Sequence, residues 1–157
     1  MAATTMPSIS LLLKALRRDF PRLTFIEGET FSWSPTKQTI RFALKEPHSA
    51  ERLLHEVAHA ELRHQSYKKD IDLIALERDA WQLVRARLAK KYCIEVGTEA
   101  VEAHMDSYRD WLHARSTCPH CTAIGLQTGV KEYTCVACRG KWKVNEARIC
   151  ALRRYKA

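Results

Sequence analysis

The chain has 157 residues, 46% of them hydrophobic, with a formal net charge of +8. That composition excludes a disordered chain and suits one compact domain with a small appendage. No apolar run approaches the roughly 20 residues of a membrane span, and Leu11-Leu12-Leu13, followed closely by Lys14, Arg17 and Arg18, is too short for a secretory h-region. The expected location is therefore cytoplasmic, with no membrane partner, and six cysteines there point to metal before disulfides.

Taken in order, Ile9 to Phe20 read as a helix, with Leu12, Leu13, Leu16 and Phe20 at helical spacing and Pro21 as its stop. Leu23 to Ile26, Thr30 to Trp33 and Thr39 to Leu44 read as short strands separated by Gly28 and Ser34-Pro35-Thr36. Ile40, Phe42 and Leu44 alternate with Arg41 and Ala43, as in a half-buried strand. Together they predict a small antiparallel sheet. A helix then starts at Pro47 and Ser49, with Glu51 in its first turn, and is expected to run to about His64. Ser66 to Asp72 form a polar break with Asp70 or Asp72 as cap. Two further helices are expected, Ile71 to Tyr92 and Thr98 to Ala114.

Inside the second helix stands His55-Glu56-Val57-Ala58-His59, the pattern H-E-x-x-H. Helical spacing puts His55 and His59 on one face, one turn apart, so two imidazoles can bind one zinc ion. Glu56 adjoins them and is placed to act as general base toward an activated water. The bland alternative is an ordinary amphipathic helix whose polar residues meet water. A catalytic zinc normally takes a third protein ligand. His64, Asp70, Asp72 and Glu77 are the candidates. On a continuing helix His64 lies about 140° around from His59 and points away from the metal face. Glu77 fits best, because it sits on the apolar stripe formed by Ile74, Ala80, Trp81, Val84 and Leu88. A carboxylate there is costly unless a charge or metal meets it. His48, His64, Tyr67, His104 and His113 are candidates for stabilising an oxyanion, and spacing does not choose among them.

His55-Glu56-x-x-His59, seventeen residues, then Glu77-Arg78-Asp79-Ala80 resembles the H-E-x-x-H and E-x-x-A pair of small gluzincin peptidases, most closely the ImmA/IrrE-like group. The resemblance covers residues 8 to 115, including the preceding helix and short sheet. It implies His55, His59 and Glu77 as ligands of a catalytic Zn2+ and Glu56 as catalytic base. It further implies a cytosolic endopeptidase cutting a protein substrate, often a DNA-binding repressor. The chain departs from that family in carrying a cysteine-rich tail.

That tail holds Cys118-Pro119-His120-Cys121 and, thirteen residues on, Cys135-Val136-Ala137-Cys138. Paired C-x-x-C knuckles at this spacing predict a structural Zn2+ held by Cys118, Cys121, Cys135 and Cys138. Gly125 and Gly140 fall where tight turns are wanted, and Val130 to Thr134 with Lys141 to Val144 read as a hairpin, so the unit resembles a zinc ribbon. Cys93 and Cys150 are left as plain thiols. Residues 139 to 157 carry seven basic side chains against Glu146 alone. Such a tail can meet nucleic acid, an acidic protein or only water, with Trp142 as a potential stacking platform.

The expected architecture is α+β, with a helical zinc-peptidase domain and small antiparallel sheet over residues 1–115 and a zinc-ribbon hairpin with basic tail over 116–157. The expected activity is zinc-dependent endoproteolysis. One alternative is a nucleic-acid-binding regulator in which the ribbon is the active part and the H-E-x-x-H site is structural. Another is a SprT-like peptidase acting on DNA-bound proteins. That family takes its third ligand from a histidine beyond the helix, and no histidine lies between His64 and His104.

Overall fold

A computed structural model of the chain describes residues 8–146 and 152–156. Cys150 and Arg148 lie outside the described residues. The fold is α+β. Helix α1 (Ile9–Asp19) is capped by Ser8, whose hydroxyl accepts from the Leu11 amide, and it buries Leu12, Leu13 and Leu16. Strands β1 (Thr24–Glu27), β2 (Ser32–Ser34) and β3 (Thr39–Phe42) follow. β2 and β3 pair antiparallel, as expected, but β1 pairs in parallel with the other edge of β3, so the sheet is mixed rather than antiparallel. β3 carries Thr39, Ile40 and Phe42 buried, whereas β1 buries only Phe25. The most buried strand takes the centre and the two others flank it.

Helix α2 (Ser49–Glu61) carries the H-E-x-x-H pattern and buries Leu53, Leu54, Val57 and Ala58 together with both histidines. It ends at Glu61 rather than near His64. The end is a Schellman turn. Arg63 adopts a left-handed φ of 56°, the His64 amide donates to the His59 carbonyl at 3.0 Å, and the Arg63 amide donates to the Ala60 carbonyl at 3.1 Å. Helix α3 (Asp70–Leu83) continues through a π-helical turn, Val84–Leu88, into α4 (Ala89–Tyr92). α5 spans Thr98–Ser116. Among the described residues no helix is long and apolar enough to cross a membrane.

Contacts divide the chain into two compact units. One draws on residues within Met1–Ser66 and Leu76–Val101, the other on residues within Tyr67–Ala75 and Glu102–Ala157. The ribbon thus shares its unit with the start of α3 and most of α5. Its strands β4 (Gly125–Gly129), β5 (Glu132–Cys135), β6 (Lys141–Val144) and β7 (Arg154–Lys156) form one antiparallel sheet in sequence order. Tyr133, Trp142, Val144, Cys118 and Cys135 make its small core. A buried ion pair lies in the same unit. Arg115 Nε donates to Asp70 Oδ2 at 2.7 Å, and the Tyr133 hydroxyl donates to the same oxygen at 2.5 Å. Trp142 Nε1 donates to the Arg115 carbonyl at 2.9 Å.

Candidate metal centres

The first centre lies within the unit that contains α2 and residues 76–101. Two turns of α2 present His55 and His59, and α3 presents Glu77. All three are buried. Glu77 Oε2 lies 2.8 Å from His55 Nε2, Glu77 Oε1 lies 3.3 Å from His59 Nε2, and the two Nε2 atoms are 3.0 Å apart. Zinc–ligand bonds of about 2.0–2.1 Å give tetrahedral edges of roughly 3.3 Å. Two imidazole nitrogens and one carboxylate converging at this spacing fit a single metal ion, and the three could hold one.

The rings are held from behind. His55 stacks on Trp81, one turn along α3 from Glu77, with ring centroids 4.3 Å apart. His59 Nδ1 lies 2.8 Å from His64 Nδ1. Glu77 does not pair with Arg78, which turns to Asp79 at 2.9 Å. The other candidate ligands are engaged elsewhere. Asp70 meets Arg115 and Tyr133, and exposed Asp72 accepts from the Lys69 amide at 3.2 Å.

Electrostatics follow from this burial. Glu56 is half-buried beside His55. Loss of water pushes its pKa up to about 7, with the Glu77 charge adding to the rise and the His59 and Arg52 charges opposing it. A carboxyl poised near neutrality can both accept and return a proton. Burial disfavours charge on His59, but its hydrogen bond to Glu77 and the charges of Glu77 and Glu56 outweigh that and raise its pKa. His64 is lowered, first by burial and then by the His59 charge.

Among the oxyanion candidates, His48 instead pairs with Glu51 at 2.6 Å. Tyr67, His104 and His113 belong to the other compact unit. His64 is brought against the ring of His59. On a continuing helix it would point away from the metal face, but α2 ends at Glu61 and the turn at Arg63 brings it back. The contribution of Trp81 was legible only as part of an apolar stripe; its position four residues after Glu77 is the signal that it shares the ligand's face.

The second centre is formed by Cys118, Cys121, Cys135 and Cys138, whose sulfurs all lie within 4.8 Å of one another. Cys118 and Cys138 Sγ are 3.7 Å apart, and Cys121 and Cys135 Sγ 3.4 Å. Zinc–sulfur bonds of about 2.3 Å give edges of roughly 3.8 Å, so four thiolates fit a closed tetrahedral site. The knuckles are near copies. The Cys118 amide donates to the Ala123 carbonyl and the Cys135 amide to the Gly140 carbonyl, both at 2.8 Å. The left-handed position after each knuckle is taken by Thr122 and Arg139, not by glycine. The glycines serve close approach instead. A Cβ on Gly125 would meet the Trp142 ring at 2.4 Å, and one on Gly140 would meet Cys138 Sγ at 3.3 Å. Amide donation from Cys138 and Ala137 brings the Cys135 thiol down to about 6, against the opposing effect of burial. Trp142 is fully buried. It is a core residue of the ribbon, which removes it as a stacking platform. Cys93 is an exposed free thiol.

No family model, curated protein or solved structure matches the chain, so the two centres are read from their own geometry.

Proposed function

We propose that the chain is a zinc-dependent endopeptidase acting on a protein substrate, with the first centre as its active site. The observation that supports this reading is the buried convergence of His55, His59 and Glu77 within 4.8 Å, with Glu56 adjacent in sequence. These three residues would hold the ion, which when bound supplies a Lewis acid that activates water and stabilises negative charge on a peptide carbonyl. Glu56 has the proton-handling role. It takes a proton from the attacking water and returns it to the leaving nitrogen. Trp81 and His64 keep the two imidazoles in place. The second centre is the structural zinc site, where four thiolates leave no open position.

The paired motifs also support membership of the ImmA/IrrE-like gluzincins and a cytoplasmic location. On that resemblance the substrate is a regulatory protein such as a DNA-binding repressor. The test has two parts. The wild type should carry two zinc ions per chain and Glu77→Ala one. Glu56→Gln should keep both and lose all cleavage of a proteome-derived peptide library scored by mass spectrometry. Cleavage at wild-type rate by Glu56→Gln refutes its role as base, and one zinc in the wild type refutes the catalytic metal site.

A second reading, in which the ribbon binds nucleic acid, is favoured by one observation. Register places Lys143 opposite Tyr155, and Lys141 two residues away on the same face, and all three are exposed. Cations beside an exposed aromatic suit a single strand. Binding to a labelled oligonucleotide that weakens steeply with salt would support it.

A further inference from the structure

The Nδ1 atoms of His59 and His64 lie 2.8 Å apart. Two imidazole nitrogens at that distance share one proton. One must be the N–H donor and the other the lone-pair acceptor, which fixes the tautomers of both rings. His59 turns its Nε2 toward His55 Nε2 and Glu77 Oε1. A neutral imidazole that gives its Nε2 lone pair to a metal carries its proton on Nδ1. His59 must then be the donor and His64 the acceptor, with the His64 proton on Nε2.

We propose that His64 is a positioning residue for the metal centre, holding His59 in the Nδ1–H tautomer and orientation that presents Nε2 to the ion. This rests on the reading of His55, His59 and Glu77 as metal ligands. Ring-holding acceptors of this kind are usually carboxylates or carbonyls; here an imidazole takes the part. The backbone is built for it. Arg63 in the left-handed region ends α2 and folds residue 64 back along the last turn, where its amide caps the His59 carbonyl at 3.0 Å. The indole N–H of Trp33, from β2, donates to the His64 carbonyl at 3.0 Å. His64 is therefore tied at its amide, carbonyl and ring. A non-glycine residue at positive φ is strained, and at this turn the conformation is what places His64 against the ligand.

The experiment compares wild type, His64→Ala and His64→Asn, each with its ribbon zinc retained, titrated with zinc against a competing chelator. Asparagine Oδ1 can stand where the imidazole Nδ1 stands, so it keeps an acceptor. His64→Ala should lose about ten- to hundredfold in affinity at the first centre, and His64→Asn should recover most of it. The Nδ1–H resonance of zinc-loaded His59, read by 15N-edited NMR, should be slow to exchange in wild type and His64→Asn and fast in His64→Ala. Equal affinity in wild type and His64→Ala, or equal losses in the two variants, overturns the positioning role while leaving the metal site standing. A wild type that takes up no second zinc overturns the metal-site reading itself, and this inference with it.

Discussion

Asp70→Asn is the sharpest perturbation of the ribbon unit. Asp70 and Arg115 have side chains 5% and 2% exposed, and Arg115 Nε lies 2.7 Å from Asp70 Oδ2. Two unit charges about 4 Å apart interact by about 4 kcal/mol at an effective dielectric of 20. Asparagine removes that attraction at nearly constant volume. It also sets an NH2 group where a carboxylate oxygen now faces Arg115 or Tyr133, both of them donors. Apart from residue 70, Arg115 has the Asn145 carbonyl and the face of Trp111, 4.7 Å from the ring centroid, among its described contacts. Breaking a buried pair from one side costs about 3–5 kcal/mol, a large share of the roughly 5–15 kcal/mol that holds a typical protein folded. The assay is urea unfolding of 5-fluorotryptophan-labelled protein at saturating zinc, with the Trp111 and Trp142 resonances reporting on this unit. The double variant Asp70→Leu, Arg115→Met should lose far less than the sum of its single changes, because no charge is left stranded. A loss below about 1 kcal/mol in Asp70→Asn, or simple additivity in the double variant, refutes the assignment of a coupled buried pair.

Three further outcomes follow from the same geometry. Burial, then the bond to Asp70 and its charge, raises the Tyr133 pKa; a folded-state pKa above the unfolded value of about 10 means that stability is intact below that pH and is lost as pH rises beyond it. Tyr133→Phe should flatten this alkaline loss in urea midpoints measured from pH 9 upward. Arg63→Gly should leave the protein as stable or up to about 1 kcal/mol more stable, because glycine adopts positive φ without strain, and Arg63→Val should cost about 1–2 kcal/mol, as read by thermal unfolding. Cys135→Ser should abolish zinc uptake at the four-cysteine centre and unfold the second unit's Trp142 signal, since a unit with so small a core is expected to draw folding energy from a bound metal, while Glu77→Ala should leave that signal unchanged.

Much of the two candidate centres was legible because their geometry depends on short spacings. Four residues along a helix place His55 and His59 on one face whatever surrounds them, and a C-x-x-C knuckle is closed by its own backbone. Glu77 was legible for a different reason: an acid on the stripe of Ile74, Trp81 and Leu88 needs a buried partner. Sheet pairing was less legible. The alternation of Ile40 and Phe42 marks a half-buried strand but carries no information on which neighbour lies parallel to it, and β1 took the side that β2 left open. Asp70 reads equally well as a helix cap or a ligand, and only the approach of Arg115 and Tyr133, 45 and 63 residues away, settles its role.

His64 shows most clearly where periodicity stops being a guide. Its angle on an ideal helix excludes it from the metal face, and that deduction holds only while the helix continues. Neither Gly nor Pro follows His59 before residue 66 to signal an end, yet α2 stops at Glu61 through an arginine at positive φ. The strain is offset by what the turn secures: two backbone hydrogen bonds of the Schellman pattern, the Trp33 indole on the His64 carbonyl, and an imidazole set against a buried imidazole. A residue rule broken beside a cluster of side chains that could hold a metal, and held in place by contacts that fix His64, is what a functional constraint on the backbone would leave behind. The turn after H-E-x-x-H therefore belongs with the centre as much as the motif does.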